Sequence, residues 1–165
     1  MNYYLIGMMG SGKSTVGKLL AKKLHAPFLD LDHYIEVKNK MSIKNIFKEK
    51  GENYFRQLET NALLEIKKSN IVVACGGGII LDQRNRKNIS SNGKAIFLKA
   101  SISSLKNRLH SKIDRPLLNN KNIEEKLIKI WSQRKNYYYE TAGITINTND
   151  FNPEKLSNQI IESLN

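Results

Sequence analysis

The sequence is poor in the residues that cross-link, rigidify or anchor a chain. Its 165 residues include one cysteine, Cys75, and three prolines. A single thiol excludes an internal disulfide framework and is typical of a reducing compartment. The one apolar run near the start, NYYLI at 2–6, is far shorter than a signal peptide or a membrane span. We therefore expect no membrane association and a cytoplasmic protein, or an organellar one whose targeting segment has been removed.

Acidic residues are also scarce, with 15 Asp and Glu against 27 Lys and Arg, which gives a net charge of +12. This excess suits either a nucleic-acid-binding face or a lysine-rich surface with a few arginines that bind small anions. The lysines are scattered along the polar faces of helical patterns, as in KLLAKKL and EIKKSN. That distribution favours the second interpretation, and we expect no nucleic-acid partner.

Short apolar runs alternate with helical periodicity along the whole chain, whose 40% hydrophobic content is enough for one folded domain, 1–165. The pattern predicts strands at 2–6, 28–32, 71–75, 94–100 and 144–147. Helices are expected from Lys13, from an N-cap at Ser42 to a stop at Gly51, and from Pro153. Strands joined by helices predict an α/β fold, a parallel sheet with helices on both faces.

Residues 7–14, GMMGSGKS, match the phosphate-binding pattern G-x-x-x-x-G-K-[ST] between a strand and a helix. Glycines let the backbone N–H groups turn inward around phosphate oxygens at the positive end of the following helix. Lys13 is placed to reach the β- and γ-phosphates, and Ser14 to offer its hydroxyl to Mg²⁺. We expect this loop to bind ATP and Mg²⁺. Further contacts with the nucleotide are expected from Gly10, Ser11, Gly12 and Thr15.

Three other groups bear on the acceptor of the phosphate, and each has an ordinary alternative. Asp30 and Asp32 end the second predicted strand, where they either face a ligand crevice together or cap the next helix. Arg56 either binds an anion or forms a surface ion pair with a neighbouring glutamate. The glycines at 76–78 either offer N–H donors to an anion or form a plain loop.

Taken together, several motifs resemble the shikimate kinase family in order and spacing over nearly the whole chain: GMMGSGKST, FLDLD, IFKEKGENYFRQLE, ACGGG, DRPLL and WSQRKNYY. The resemblance implies a P-loop kinase fold similar to that of nucleoside monophosphate kinases, with sheet order 2-3-1-4-5. It also implies a substrate-binding helical segment at about 33–61 and a lid at about 110–121. The implied reaction moves the γ-phosphate of ATP to the 3-hydroxyl of shikimate, with Mg²⁺, in the pathway to chorismate, and the family suggests a monomer.

The resemblance also assigns roles around the acceptor. Asp32 matches the carboxylate that binds the shikimate hydroxyls and serves as base or orienter for the attacking oxygen. Asp30 matches the acid near the metal, which acts mostly through water. Arg56 and Arg134 match the pair that clamps the substrate carboxylate, with Glu59 orienting Arg56.

On the substrate side, the resemblance places Gly77 and Gly78 in the lining of the shikimate pocket. It places Phe47 and Phe55 in the aromatic walls of that pocket. On the nucleotide side, Arg115 in DRPLL matches the lid arginine that reaches the ATP phosphates. Arg108 and Pro153 match the positions that sandwich the adenine.

The chain departs from the family pattern in three places. After Arg134 it has Lys135, Asn136 and Tyr137, where the family often has a proline before the tyrosine. Cys75 stands where threonine is common, so a hydroxyl is lost near the metal region. Asp150 and Phe151 replace a more basic stretch of the adenine loop, so nucleotide affinity is expected to differ.

Rival functions stay open from the sequence alone. A gluconate kinase or nucleoside monophosphate kinase shares the fold, and gluconate also carries a carboxylate and hydroxyls. A noncatalytic nucleotide-binding module is a different class, and the intact set Lys13, Asp32, Arg56 and Arg134 argues against it.

Overall fold

Five strands and seven α-helices alternate in the computed structural model, which describes residues 1–67, 69–110 and 120–164. A short 3₁₀ turn, Ile79–Leu81, follows the third strand. In chain order the elements are β1 Asn2–Ile6, α1 Lys13–Lys23, β2 Phe28–Asp30, α2 Leu31–Asn39, α3 Ile43–Leu64, β3 Val72–Ala74, α4 Gln83–Asn92, β4 Gly93–Lys99, α5 Ile102–His110, α6 Asn120–Thr141, β5 Ile144–Asn147 and α7 Pro153–Leu164. None of these helices is both long and apolar enough to cross a membrane.

The strands form one parallel sheet in the order β2-β3-β1-β4-β5, which confirms the expected order. In the centre, Tyr4 of β1 pairs with Val73 of β3 on one side and with Ala95 of β4 on the other. The middle strands are almost continuously apolar because helices cover the sheet on both faces.

Alternate strand residues enter two separate cores, as the period of two in a strand requires. Leu5 packs with Leu20 of α1 and Ile160 of α7 on one face of the sheet. Tyr4, its neighbour, packs with Tyr138 of α6 on the other face. Because all strands run in the same direction, the loops that follow them meet at one edge, where ligands bind in open α/β sheets.

Two predicted helix boundaries are confirmed and one is altered. The Ser42 hydroxyl accepts a hydrogen bond from the Asn45 N–H at 3.3 Å, and Pro153 is the first residue of α7. A stop was expected at Gly51. The helix instead continues across it with a kink, since Gly51 adopts φ 82°, which other residues avoid.

The predicted second strand is wrong in its last two residues. β2 ends at Asp30, whose carboxylate accepts a hydrogen bond from the His33 N–H at 3.3 Å and so caps α2. Leu31 and Asp32 therefore lie in the first helical turn, and the two acids do not share a strand face. Aspartate is a strong N-cap residue, and here that preference overrides extension of the strand.

Helix α4 was missed because its sequence, QRNRKNISSN, carries almost no apolar stripe. Only Asn85 and Ile89 of this helix are buried. The helix is fixed instead by its neighbours, since Asn85 donates from its amide to the Ile79 carbonyl at 3.1 Å.

Candidate active site

The phosphate loop joins β1 to α1 at the carboxyl edge of the sheet. Gly10 and Gly12 adopt φ 79° and 96°, left-handed conformations that disfavour any side chain. Lys13 Nζ donates to the carbonyls of Gly7 and Met8, each at 2.9 Å, so the ammonium lies back over the loop. Burial lowers the pKa of Lys13, and the nearby Asp32 and Asp30 carboxylates oppose that shift. The loop thus holds one partly buried cation over its own backbone.

Ser14 and Asp30 form an oxygen pair beside this loop. Ser14 Oγ donates to Asp30 Oδ2 at 2.5 Å, while the other carboxylate oxygen of Asp30 caps α2. Asp30 therefore caps α2, as one of its two alternatives predicted, and also contacts Ser14. A hydroxyl and a carboxylate are the hard oxygen ligands that Mg²⁺ prefers, usually completed by water and substrate phosphates. In the described ranges no group of three or more His, Cys, Asp or Glu is placed to hold a metal.

Two buried carboxylate oxygens converge on Gly76, the first glycine of the 76–78 triplet. A Cβ added at Gly76 would overlap Glu59 Oε1 and lie 2.7 Å from Asp32 Oδ1. These two oxygens have no hydrogen-bond partner among the residues that the structure describes. Burial raises the pKa of both carboxyl groups, with Lys13 opposing the shift at Asp32 and Arg56 at Glu59. The first glycine of the triplet therefore leaves room for two closely spaced acids.

Arg56 is held by glutamates of its own helix. Its Nη1 donates to Glu59 Oε2 at 2.5 Å and its Nη2 to Glu52 Oε1 at 2.8 Å. Burial by itself would lower the pKa of Arg56, but the two glutamates outweigh it and raise that pKa. A Cβ at Gly78 would overlap the guanidinium, so this glycine lets Arg56 lie flat against the loop.

Arg134 approaches the same loop from α6. Its Nη1 donates to the Gly77 carbonyl at 3.0 Å. Its Nε is a buried donor with no acceptor in the described part of the chain. Buried N–H groups are normally paired, so this donor is suited to an acceptor that a ligand brings.

The aromatic residues expected as pocket walls lie together. The ring centroids of Phe47 and Phe55 are 4.8 Å apart, with Phe55 buried and Phe47 37% exposed. Cys75 is also buried, and burial raises the pKa of its thiol, which fits a small core residue rather than a nucleophile.

On the other side of the phosphate loop, Arg108 of α5 lies over the Phe151 ring, with the guanidinium carbon 4.6 Å from the ring centroid. Arg108 also donates to the Gly10 carbonyl at 3.4 Å. The Phe151 ring is packed so closely on Gly12 that a Cβ there would overlap it. Pro153 begins α7 two residues later, so the expected adenine-side residues lie beside the phosphate loop.

The predicted residues thus gather at one edge of the sheet, with one exception. Arg115, and with it most of the predicted lid, lies outside the described residues. Sequence reasoning missed Tyr138, whose hydroxyl donates to the Gly77 carbonyl at 2.6 Å. Its position four residues after Arg134, on the same helical face, was the available signal.

Comparison with known proteins gives a consistent result over nearly the full length. The family model described as shikimate kinase matches residues 9–165. A curated shikimate kinase of Sulfurihydrogenibium sp. is 42% identical, with 99% of this chain and 97% of that protein covered. A shikimate kinase 2 of Photorhabdus laumondii is 40% identical, with 96% of this chain and 92% of that protein covered.

Solved structures agree with this result. Shikimate kinase from Acinetobacter baumannii in complex with shikimate superposes with a TM-score of 0.92 at 38% identity, covering 99% of this chain and 92% of that one. The enzyme from Bacteroides thetaiotaomicron gives a TM-score of 0.93 at 32% identity, with 99% and 98% covered.

The space at Gly76 is open to a direct test. We expect Gly76→Ala to lower the free energy of unfolding by about 1–3 kcal/mol, because the new methyl group displaces two buried carboxylates. The matched control is Gly143→Ala, whose Cβ would be 3.4 Å from the flexible Lys94 side chain and would fit. Urea denaturation measures both variants, and equal stability of the two would contradict the packing described at Gly76.

Proposed function

The chain belongs to the shikimate kinase family, and we propose how its residues divide the work of the family's reaction. It transfers the γ-phosphate of ATP to the 3-hydroxyl of shikimate, which yields shikimate 3-phosphate and ADP in the chorismate pathway. The family assignment decides between this acceptor and the gluconate or nucleotide acceptors that the sequence left open. What remains to be assigned is the role of each side chain.

Arg56 and Arg134 bind the shikimate carboxylate. A guanidinium suits this anion because two parallel N–H groups match the two carboxylate oxygens. Two observations support the proposal: Arg134 Nε is a buried donor with no acceptor in the described ranges, and Arg56 is fixed by Glu52 and Glu59. Gly77 and Gly78 line the same space: Gly78 lets Arg56 approach the loop closely, and the Gly77 carbonyl accepts a hydrogen bond from Arg134.

Asp32 accepts the proton of the attacking hydroxyl, or orients that hydroxyl toward the phosphorus. The observation that carries this proposal is the buried Asp32 Oδ1, which lies near the Lys13 ammonium and has no hydrogen-bond partner within the ranges that the structure describes. Burial raises the pKa of Asp32, and a carboxylate of higher pKa is the stronger proton acceptor when ionised. Lys13 opposes that shift and so favours the ionised form that the reaction needs.

The phosphate loop holds the β- and γ-phosphates through its N–H groups, with contacts contributed by Gly10, Ser11, Gly12 and Thr15. Lys13 offsets the charge that spreads over the equatorial oxygens during transfer. Arg115 adds a second positive charge at the phosphates. Its role is proposed from the family resemblance alone. Arg108 and Pro153 enclose the adenine.

Mg²⁺ is the cation that we propose for the Ser14 and Asp30 pair. When bound, it neutralises negative charge on the transferring phosphate. Ser14 would ligate it directly, and Asp30 would act mostly through water. Two observations support the assignment: both side chains offer the oxygen ligands that Mg²⁺ prefers, and Ser14 Oγ lies 2.5 Å from Asp30 Oδ2.

We also propose a cytoplasmic monomer that acts on small molecules and binds no nucleic acid. The single buried cysteine and the scattered lysines support this picture. Light scattering at assay concentrations tests the monomer, and a dimer mass would contradict it.

Replacing Asp32 with Asn is expected to lower kcat by about 10²–10⁴-fold, because the amide cannot accept the hydroxyl proton. Binding of ADP should stay unchanged, since Asp32 does not belong to the phosphate loop. A coupled assay with ATP, Mg²⁺ and shikimate gives kcat, and calorimetry gives the ADP affinity. Asp82→Asn, which changes the aspartate that caps α4 and bonds to Arg84, is the matched control and should keep full activity. A near-normal kcat for Asp32→Asn would show that its proposed role is wrong.

Ser14→Ala is expected to raise the Mg²⁺ concentration for half-maximal rate by about tenfold, because one oxygen ligand is lost. Ser14→Thr retains the hydroxyl and should resemble the unchanged protein. Magnesium titrations of the initial rate compare the three proteins. An unaltered magnesium requirement in Ser14→Ala would remove Ser14 from the metal site.

A further inference from the structure

The Gly77 carbonyl accepts two hydrogen bonds from one helix. Tyr138 Oη donates to it at 2.6 Å and Arg134 Nη1 at 3.0 Å. Residues four apart on a helix lie on one face, so α6 presents both donors to the same oxygen. A side chain proposed to bind substrate thus shares its backbone anchor with a tyrosine that has no assigned role.

The tyrosine is the rigid member of this pair. Its side chain is fully buried, and its ring stacks on Phe97 of β4 with centroids 5.0 Å apart and planes 6° apart. Trp131 stacks nearby, with centroids 6.3 Å apart. Aromatic packing of this kind leaves the hydroxyl little freedom to move, whereas an arginine has several rotatable bonds.

The shared carbonyl also lies at a junction of the two substrate sites. A Cβ at Gly77 would be 3.4 Å from the Gly7 carbonyl oxygen and 3.5 Å from the Met9 nitrogen, both in the phosphate loop. The same Cβ would be 3.6 Å from Arg134 Nη1. Gly77 therefore lies close to the phosphate loop, and its carbonyl holds Arg134 Nη1 next to that loop.

We propose that Tyr138 is a positioning residue for the shikimate carboxylate, acting through the Gly77 carbonyl on Arg134. The tyrosine hydroxyl fixes the carbonyl, and the carbonyl holds Arg134 Nη1. Arg134 Nε, which has no acceptor among the described residues, is thereby aimed at the ligand. This inference rests on the proposed role of Arg134, and it adds a residue that itself touches no substrate.

Tyr138 acts as a neutral donor throughout the working pH range. Burial raises the pKa of Tyr138 to about 12. The group is protonated below its pKa, so its hydrogen bond to Gly77 persists from about pH 6 to pH 9. Any effect of removing the hydroxyl should therefore be independent of pH across that range.

Tyr138→Phe isolates the hydroxyl, because the phenyl ring retains the stack with Phe97 and Trp131. We expect the shikimate KM and the calorimetric Kd for shikimate to rise about three- to tenfold, which is typical of one lost hydrogen bond. The kcat and the ATP KM should stay within about twofold, since the interaction serves ground state and transition state alike. Tyr139→Phe is the matched control, because Tyr139 contacts the same two rings and is expected to have no effect on shikimate.

A double-mutant cycle with Arg134→Lys separates positioning from a general structural role. If Tyr138 acts through the guanidinium of Arg134, Tyr138→Phe should weaken shikimate binding by less than about twofold in the Arg134→Lys background. An equal loss in both backgrounds, or no loss in the single variant, would overturn the inference while the arginine clamp stands. Normal shikimate affinity in Arg134→Lys would overturn the clamp itself, and this inference with it.

Discussion

The buried Glu59 carboxylate is the charge on which the geometry of the site depends. Its side chain is 1% exposed, and an unpaired carboxylate in such a place is strongly unfavourable. Arg56 supplies the compensating charge at 2.5 Å and is thereby fixed against the loop that follows β3. Glycine at 76 and 78 follows from this pair, since a Cβ at the first would overlap the glutamate and one at the second the arginine.

The parallel sheet turns these local constraints into one site. The phosphate loop follows β1, Asp30 ends β2 and the glycine triplet follows β3, all neighbours at the carboxyl edge. Gly77 packs against the phosphate loop, so the place for the triphosphate adjoins the place for the ring acid. Phosphoryl transfer requires no covalent bond between substrate and protein. The protein increases the rate mainly by holding the two substrates close together between fixed charges.

Local structure could be predicted from the sequence, whereas contacts between segments that are distant in the chain could not. The phosphate loop and the strands could be predicted because they depend on glycine spacing and on apolar runs, whereas the strand order came from the family resemblance. The positions of Asp30 and Asp32 could not be predicted, because the sequence is compatible with a strand that continues to Asp32 and with a helix capped by Asp30. Tertiary contacts determine which of the two forms. The space at Gly76 and the anchor of Tyr138 depend on segments about 17 and 61 residues away in the chain. Family resemblance supplied roles for Arg56 and Arg134 that an isolated arginine does not reveal.

The most direct test of this account is a crystal structure of the protein with ADP and shikimate bound together. We expect the shikimate carboxylate to lie within hydrogen-bond distance of both Arg56 and Arg134. We also expect the 3-hydroxyl to lie beside Asp32, on the side that faces the phosphate loop. A ring bound away from these three side chains, or turned so that its carboxylate meets Asp32, would contradict the proposed division of labour.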